Sequence, residues 1–247
     1  MLGILSGERS QIIFVDTPGI LEPRYELQAV MMRTVGQSIA DADLLLYVVD
    51  VRSPEIAPGV VAAATHKPLV VAVNKADVLK NAEQSLPALE RLRELAPQAE
   101  YFVVSALRGV GIAALQAHLA ERLPLGPPLY PTDQLTEHPE RFFAAELVRE
   151  AIFERFRDEV PYSAEVQIED FRERAGQKDF IAATIFVETE SQKGILIGRG
   201  GQAIRDLGQC ARVGIEALLG RPVYLELRVK VLPHWRKDPQ ALRRLGY

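Results

Sequence analysis

Apolar residues fall into two different rhythms along this chain. In the first half, short apolar runs at Gln11–Val15, 44–49, 69–73 and 101–104 each end in a polar turn, at Asp16, Asp50, Asn74 and Ser105. Runs of that length read as buried strands, and the stretches 25–40, 57–65, 85–95 and Ile112–Arg122 between them carry helical spacing. The alternation predicts an α/β domain over residues 1–124, a parallel sheet with flanking helices on both faces. In such sheets ligands bind at the carboxyl ends of the strands, where these polar residues collect.

Leu125-Gly126-Pro127-Pro128-Leu129-Tyr130-Pro131 breaks the pattern and predicts a linker over residues 125–140. Beyond it, Phe142, Ala145, Val148, Ile152 and Phe156 recur at helical spacing through 141–157. Residues 163–170 alternate Ala164, Val166 and Ile168 with Glu165, Gln167 and Glu169, a half-buried strand. Residues 180–188 follow Gly176 as the second arm of a hairpin, and Val223–Val231 alternates cleanly. The predicted order over 141–247 is helix, two strands, glycine-rich loop, helix, strand and final helix, a compact α+β domain.

The chain has 247 residues, enough for two separate cores. No apolar run approaches the roughly 18 residues of a membrane span. Met1-Leu2-Gly3-Ile4-Leu5 lacks the basic start and long apolar stretch of a signal peptide. One cysteine, Cys210, excludes an internal disulfide and fits a reducing compartment, so the expected location is cytoplasmic. Its helical neighbourhood predicts a buried apolar role. A formal net charge of −4 argues against coating nucleic acid by bulk attraction, so any RNA contact must come from a local basic patch.

Asp16-Thr17-Pro18-Gly19 ends the first strand. Taken alone it is a strand closing in a Pro-Gly turn; in P-loop GTPases a carboxylate there holds Mg²⁺ through water and the glycine amide meets the γ-phosphate. Asn74-Lys75-Ala76-Asp77 follows another strand. Guanine presents N1–H and a 2-amino group side by side, and one carboxylate can accept from both. Adenine would leave a buried Asp77 unpaired. Asn74 would brace the base and neighbouring loops, the Lys75 stem would cover the ring, and Ser105-Ala106-Leu107 would bring a backbone N–H to the guanine carbonyl oxygen. Together the loops predict a GTP/GDP site at Asp16, Thr17, Pro18, Gly19, Asn74, Lys75, Asp77, Ser105, Ala106 and Leu107, with Mg²⁺ at Asp16 and no residue assigned a catalytic role. No Gly-x-x-x-x-Gly-Lys-[Ser/Thr] phosphate loop occurs in the chain. In this fold it lies one strand and one helix ahead of Asp16, a βαβ unit of roughly 30 residues, and only 15 residues precede that position. No switch threonine stands ahead of Asp16 either.

Gly198-Arg199-Gly200-Gly201 is preceded by the apolar residues 195–197 and followed by a helix. The pattern fits the GXXG loop of KH domains, where bare glycines let a sugar–phosphate backbone approach and a helix N-terminus favours its charge. A turn capping a helix, or a mononucleotide loop, is the alternative for the glycines alone. Basic residues gather nearby, including Lys193, Arg212, Arg228, Arg236 and Lys237. Gly198, Arg199, Gly200, Gly201, Arg205 and Lys230 form the expected RNA contacts; many of the other charges belong to an ordinary solvated face. Trp235 either stacks on a base or packs the terminal helix. The four histidines show no ligand or catalytic spacing.

Taken together these residues resemble the Era family of GTPases. The likeness runs from Gly3-Ile4-Leu5 through Ile12-Ile13-Phe14-Val15-Asp16-Thr17-Pro18-Gly19-Ile20, Asn74-Lys75-Ala76-Asp77 and Ser105-Ala106-Leu107. It continues through Val160-Pro161-Tyr162-Ser163 and Ile197-Gly198-Arg199-Gly200-Gly201 to Tyr224-Leu225-Glu226-Leu227-Arg228-Val229-Lys230-Val231, and closes on Trp235-Arg236-Lys237-Asp238 and Arg243-Arg244-Leu245-Gly246-Tyr247. It implies a partial P-loop GTPase domain, without P-loop and switch I, followed by a type II KH domain. It also implies GTP binding and hydrolysis, recognition of the 3′ end of 16S rRNA, and a role in small (30S) ribosomal subunit biogenesis. Some members associate peripherally with the inner face of the membrane, and this chain is expected to be a monomer. Ile20 stands where Ras-type enzymes place a water-orienting glutamine, which implies slow intrinsic turnover. One expectation is that the phosphate loop lies upstream of Met1 in an N-terminally truncated sequence. The other is an RNA-binding KH protein with a degenerate, non-hydrolysing GTPase domain.

Overall fold

The computed structural model describes residues 1–247, the side chain of Ala82 excepted. They form two compact units, the first of Met1–Leu21 with Met31–Glu137, the second of Glu22–Val30 with His138–Tyr247.

In the first unit β1 (Leu2–Ser6) and β2 (Gln11–Val15) pair antiparallel, while β3 (Leu45–Asp50), β4 (Leu69–Asn74) and β5 (Glu100–Val103) form a parallel sheet in that order. The helices are α1 (Glu26–Asp41), whose first residues group with the second unit, α2 (Pro58–Ala63), α3 (Leu86–Leu95) and α4 (Ile112–Arg122). Alternate residues of β4 face opposite ways. Leu69, Val71 and Val73 meet Val60 of α2 and Leu92 of α3, while Val70 and Ala72 meet Leu115 and Leu119 of α4 together with Ile12 of β2. Burying each of these valines, leucines and the isoleucine contributes about 1.5–3 kcal/mol, which favours this two-faced strand at the centre.

Two departures from the expected sheet stand out. No ladder joins β2 to β3 among the described residues, so the hairpin shares a core with the parallel sheet but not its hydrogen bonds. Val48, in the middle of β3, is 57% exposed, and Val15 on β2 is 56% exposed. The supposed linker is also no free tether. Gln11 accepts at Oε1 from the Leu129 and Tyr130 amides (2.8 and 2.9 Å) and donates from Nε2 to the Tyr130 carbonyl (2.9 Å). The Ile4 amide donates to Leu135 O (2.8 Å) and Thr136 Oγ1 to Leu2 O (2.6 Å), covering the outer edge of β1 with proline-rich chain.

The second unit comprises α5 (Glu140–Arg155), α6 (Val160–Ser163), β6 (Glu165–Arg172), β7 (Asp179–Val187), α7 (Glu190–Ile197), α8 (Gln202–Leu219), β8 (Val223–Val231) and α9 (Pro239–Leu245). In the sheet, β7 is central, antiparallel to β6 and parallel to β8. Its core joins Val148 and Ile152 of α5, Ile181 and Ile185 of β7, Leu196 of α7 and Leu207 and Ile215 of α8. Trp235 is 2% exposed and its indole N–H donates to Ser163 O at 3.1 Å, a packing role with its polar edge satisfied. Cys210 is half-buried, its thiol 3.6 Å from Glu154 Oε2; burial, then that carboxylate, raises its pKa. No described helix is long and apolar enough to cross a membrane.

Candidate nucleotide and nucleic-acid sites

The parallel strands deliver three polar turns to one end of the first unit. Asn74 closes β4, and its Oδ1 accepts from the Lys75 amide at 2.7 Å and from the Ala106 amide at 2.9 Å. One side chain thus ties the loop after β4 to the loop after β5. A backbone bond from Ala76 N to Val104 O (3.0 Å) reinforces the tie, and Val51 N to Asn74 O (3.0 Å) adds the turn after β3. Lys75 takes the left-handed conformation (φ 66°), and its ammonium lies 3.0 Å from Asp50 Oδ2. Asp50 also accepts from the Arg52 backbone and guanidinium, and the Arg52 bonds followed by Lys75 hold its carboxyl far below the usual range. Sequence reading placed Asp50 at a strand end without giving it a role. Its signal was only that position.

Asp77 is exposed, where the sequence argument expected it buried. Its Oδ1 accepts from the hydroxyl of the buried Ser105 at 2.5 Å, and that bond holds the carboxyl below its ordinary value. Ser105 Oγ in turn accepts from the Arg108 amide at 3.1 Å. Of the Ser105-Ala106-Leu107 stretch expected to bring a backbone N–H to the guanine carbonyl, the Ala106 amide donates to Asn74 Oδ1, and Leu107 stands 80% exposed at the loop tip.

Asp16, Thr17, Pro18 and Gly19 lie beyond β2 without regular structure. The Asp16 backbone is pinned on both sides by Met1, with Asp16 N donating to Met1 O (2.7 Å) and the terminal ammonium donating to Asp16 O (2.9 Å). Its exposed carboxylate is not gathered with others. Among the described residues no group of three or more His, Cys, Asp or Glu could hold a metal ion.

In the second unit the Gly-rich loop joins α7 to α8. Thr189 and Gln192 form a reciprocal capping box at the start of α7. Gly198 ends that helix at φ 71°; a Cβ there would lie 2.6 Å from Ala203 Cβ, so only glycine fits. Gly200 and Gly201 are also left-handed, but a Cβ on either would meet open space. Arg199, between Gly198 and Gly200, is exposed. Arg205 turns back along α8, donating from Nη2 to Gly200 O (2.5 Å) and from Nε to Gly201 O (3.1 Å). This neutralises carbonyl dipoles that would repel an anion at the helix N-terminus. Lys230 is not brought to the loop. It lies farther along β8, 3.8 Å from Glu169.

Between α8 and β8 runs an open groove of about 460 Å³ lined by Ile204, Arg205, Gly208, Gln209, Arg212 and residues 224–227. Gly208 lies beside Leu227, where a Cβ would stand 3.4 Å from Cδ1, an ordinary van der Waals contact. Apart from Arg205, sequence reasoning assigned none of these residues to a site. The glycine at 208, inside an otherwise amphipathic helix, was the available signal.

Comparison with known proteins bears on both units. Residues 2–75 match a family model described as "50S ribosome-binding GTPase", and residues 159–236 match one described as "KH domain". The chain is 40% identical over 250 residues to GTPase Era of Carboxydothermus hydrogenoformans, an alignment covering 99% of this chain and 83% of that protein. It superposes on a point variant of Aquifex aeolicus Era bound to GDP.AlF4⁻ with a TM-score of 0.92 at 36% identity, covering 100% of this chain and 85% of that one. The crystal structure of Era with MgGDPNP and nucleotides 1506–1542 of 16S ribosomal RNA gives 0.91 at 36% identity, covering 100% and 86%. With an α/β unit carrying the Asn74 and Ser105 loops, a KH unit carrying the Gly198 loop, and this identity across the whole chain, the protein belongs to the Era family of GTPases.

Proposed function

We propose that this chain is a cytoplasmic GTP- and rRNA-binding GTPase that acts in small-subunit ribosome biogenesis by holding the 3′ end of 16S rRNA. The observation that carries the nucleotide half is Asn74 fastening the Asp77 loop to the Ser105 loop. That geometry fits guanine: Asp77 keeps one oxygen on Ser105, and its carboxylate faces solvent, ready to accept from N1–H and the 2-amino group. The stem of Lys75, anchored by Asp50, would lie against the ring. Asp16 fits Mg²⁺ as a lone carboxylate, since that ion keeps most of its shell as water and phosphate oxygens. When bound, the ion would neutralise phosphate charge, and Thr17, Pro18 and Gly19 would line the phosphate side. Gly198, Arg199, Gly200 and Gly201, braced by Arg205, would take the RNA backbone, with Lys230 contacting it farther along β8.

The relative crystallised with nucleotides 1506–1542 of 16S ribosomal RNA matches the whole chain, whereas the "50S" description belongs to a model matching residues 2–75 alone. The small subunit is therefore the preferred partner. The second reading is RNA binding through the KH unit without turnover. One set of titrations decides between them: GDP against ADP, RNA 1506–1542 against a scrambled sequence, and GTP turnover with and without that RNA. Guanine preference with RNA-responsive turnover supports the first reading; RNA binding without turnover supports the second. Failure to prefer either ligand overturns both.

A further inference from the structure

Phe180 on β7 and Tyr224 on β8 are register partners, and their rings stack with centroids 5.9 Å apart and planes 14° from parallel. Arg172 of β6 stands opposite Phe180; its guanidinium and that of Arg174 lie 5.8 and 5.0 Å from the Phe180 ring centre. Ile181 and Leu225, the next residues along, face the core shared with α5 and α8. Alternation therefore turns the row Arg172, Phe180, Tyr224 to the opposite face of the sheet. Farther along that face α9 covers the strands. Gln167 donates to Arg244 O at 3.3 Å, the Tyr247 hydroxyl donates to Glu165 Oε2 at 2.7 Å, and Thr184 is wholly buried. The aromatic row is left outside this cover, and Tyr224 is 56% exposed.

Two features separate this row from an ordinary exposed pair. Guanidiniums on Phe180, and Phe180 on Tyr224, hold the rings in place before anything binds, so a flat partner costs them little freedom. The charges also favour a nucleotide. The carboxylates on this face are matched, Asp170 by Arg172 at 2.5 Å and Glu226 by Arg228 at 2.6 Å. Arg174 and Lys178, on the turn between β6 and β7, form no ion pair among the described residues. A cation beside an open ring suits phosphate and base together, whereas an apolar peptide would use the ring alone. Tyr224 also lines the mouth of the α8/β8 groove, so RNA leaving that groove over the edge of β8 meets this ring. We infer that Phe180 and Tyr224 form a base-stacking platform on the sheet face opposite α8, which takes one nucleotide of single-stranded RNA whatever its base. Stacking tolerates any sequence because every base has a π-face. This rests on the reading of the second unit as RNA-binding.

The test is a scan of RNA 1506–1542 in which each single-stranded nucleotide is made abasic in turn and, separately, given each other base, with affinity measured at fixed salt. On the wild-type protein one position is expected to lose about tenfold when its base is removed and less than about threefold when its base is exchanged. In Tyr224→Leu the abasic penalty at that position falls below about threefold, while Tyr224→Phe, which keeps the ring, retains it. If no position of the wild-type complex needs a base while tolerating any base, the inference is overturned without recourse to a variant. A position of that kind whose penalty survives Tyr224→Leu overturns it equally, and leaves this face to a protein partner. A wild-type protein that fails to bind RNA 1506–1542 at all overturns the RNA-binding reading and this inference with it, a result distinct from tight binding without a platform position.

Discussion

The Ser105 hydroxyl donates to Asp77 Oδ1 at 2.5 Å, joining the side chain that would read guanine to the loop after β5. Ser105 is 1% exposed, so its hydroxyl has no competing solvent and acts as a fixed donor. The rotamer of Asp77 is therefore set before any base arrives. Ser105→Ala removes this orientation and also leaves the Arg108 amide without its acceptor. Guanine-nucleotide affinity is expected to fall about three- to tenfold, as for loss of one charge-assisted hydrogen bond. Calorimetric titration with GDP checks it, and unchanged affinity would mean that Asp77 is oriented by something else.

Asp77→Asn exchanges an acceptor for a donor opposite the 2-amino group. Guanine binding is expected to weaken by roughly a hundredfold or more while xanthine nucleotides, which carry an oxygen at that place, gain. The ratio of GDP to XDP affinity is the readout. A preserved guanine preference would show that Asp77 does not face the base.

The three glycines of the loop are not equivalent. Gly198→Ala drives a Cβ into Ala203 and is expected to lower the melting temperature of the second unit as well as RNA affinity. Exchanging Arg199 and Gly200 for Asp places charge in open space at a strain of about 1 kcal/mol. That double variant should stay folded and lose RNA affinity, about tenfold at moderate salt. Circular dichroism melts alongside RNA titration separate the two outcomes.

Much of this arrangement was legible in the chain. The polar turns after β2, β3, β4 and β5 follow from apolar runs ending abruptly, and the alternation in β8 is plain. What escaped depended on contacts distant in sequence or on weak local patterns. β1 is short, and its edge partner lies at Leu135 and Thr136, more than a hundred residues away. The tie from Asn74 to the Ala106 amide crosses two loops, so periodicity could not foretell that this amide was already spoken for. In the sequence only the apolar run at 195–197 marks α7, because just Leu196 of its residues is buried. Thr189 followed three residues later by Gln192 was the signal that could have found it. The exposure of Asp77 is not legible in the chain, because hydrogen-bonding chemistry alone does not say whether a base-reading carboxylate lies inside the protein or at its surface.

Asp179, whose side chain is 5% exposed, accepts from Arg221 Nε at 2.6 Å and from the Arg174 amide at 2.9 Å, and these bonds lower its pKa from the ordinary 3.8. Its stabilising contribution is therefore whole above pH 3.8 and disappears as pH falls through the lower folded-state value. Asp179→Asn should lower the urea midpoint at pH 7. The gap from wild type should then narrow as pH drops below 3.8. Equal gaps at pH 7 and pH 3 would place the effect in packing instead of charge.

The unladdered boundary between β2 and β3 makes protein concentration a structural variable. Each strand offers a row of backbone donors and acceptors at fixed spacing, with Val15 and Val48 uncovered alongside. Such a row recognises extended chain of almost any sequence, because the contacts are main-chain ones. Self-association on concentrating this protein should therefore be nearly indifferent to salt and to surface charge, and its yield in solution should depend on what is laid along those two strands.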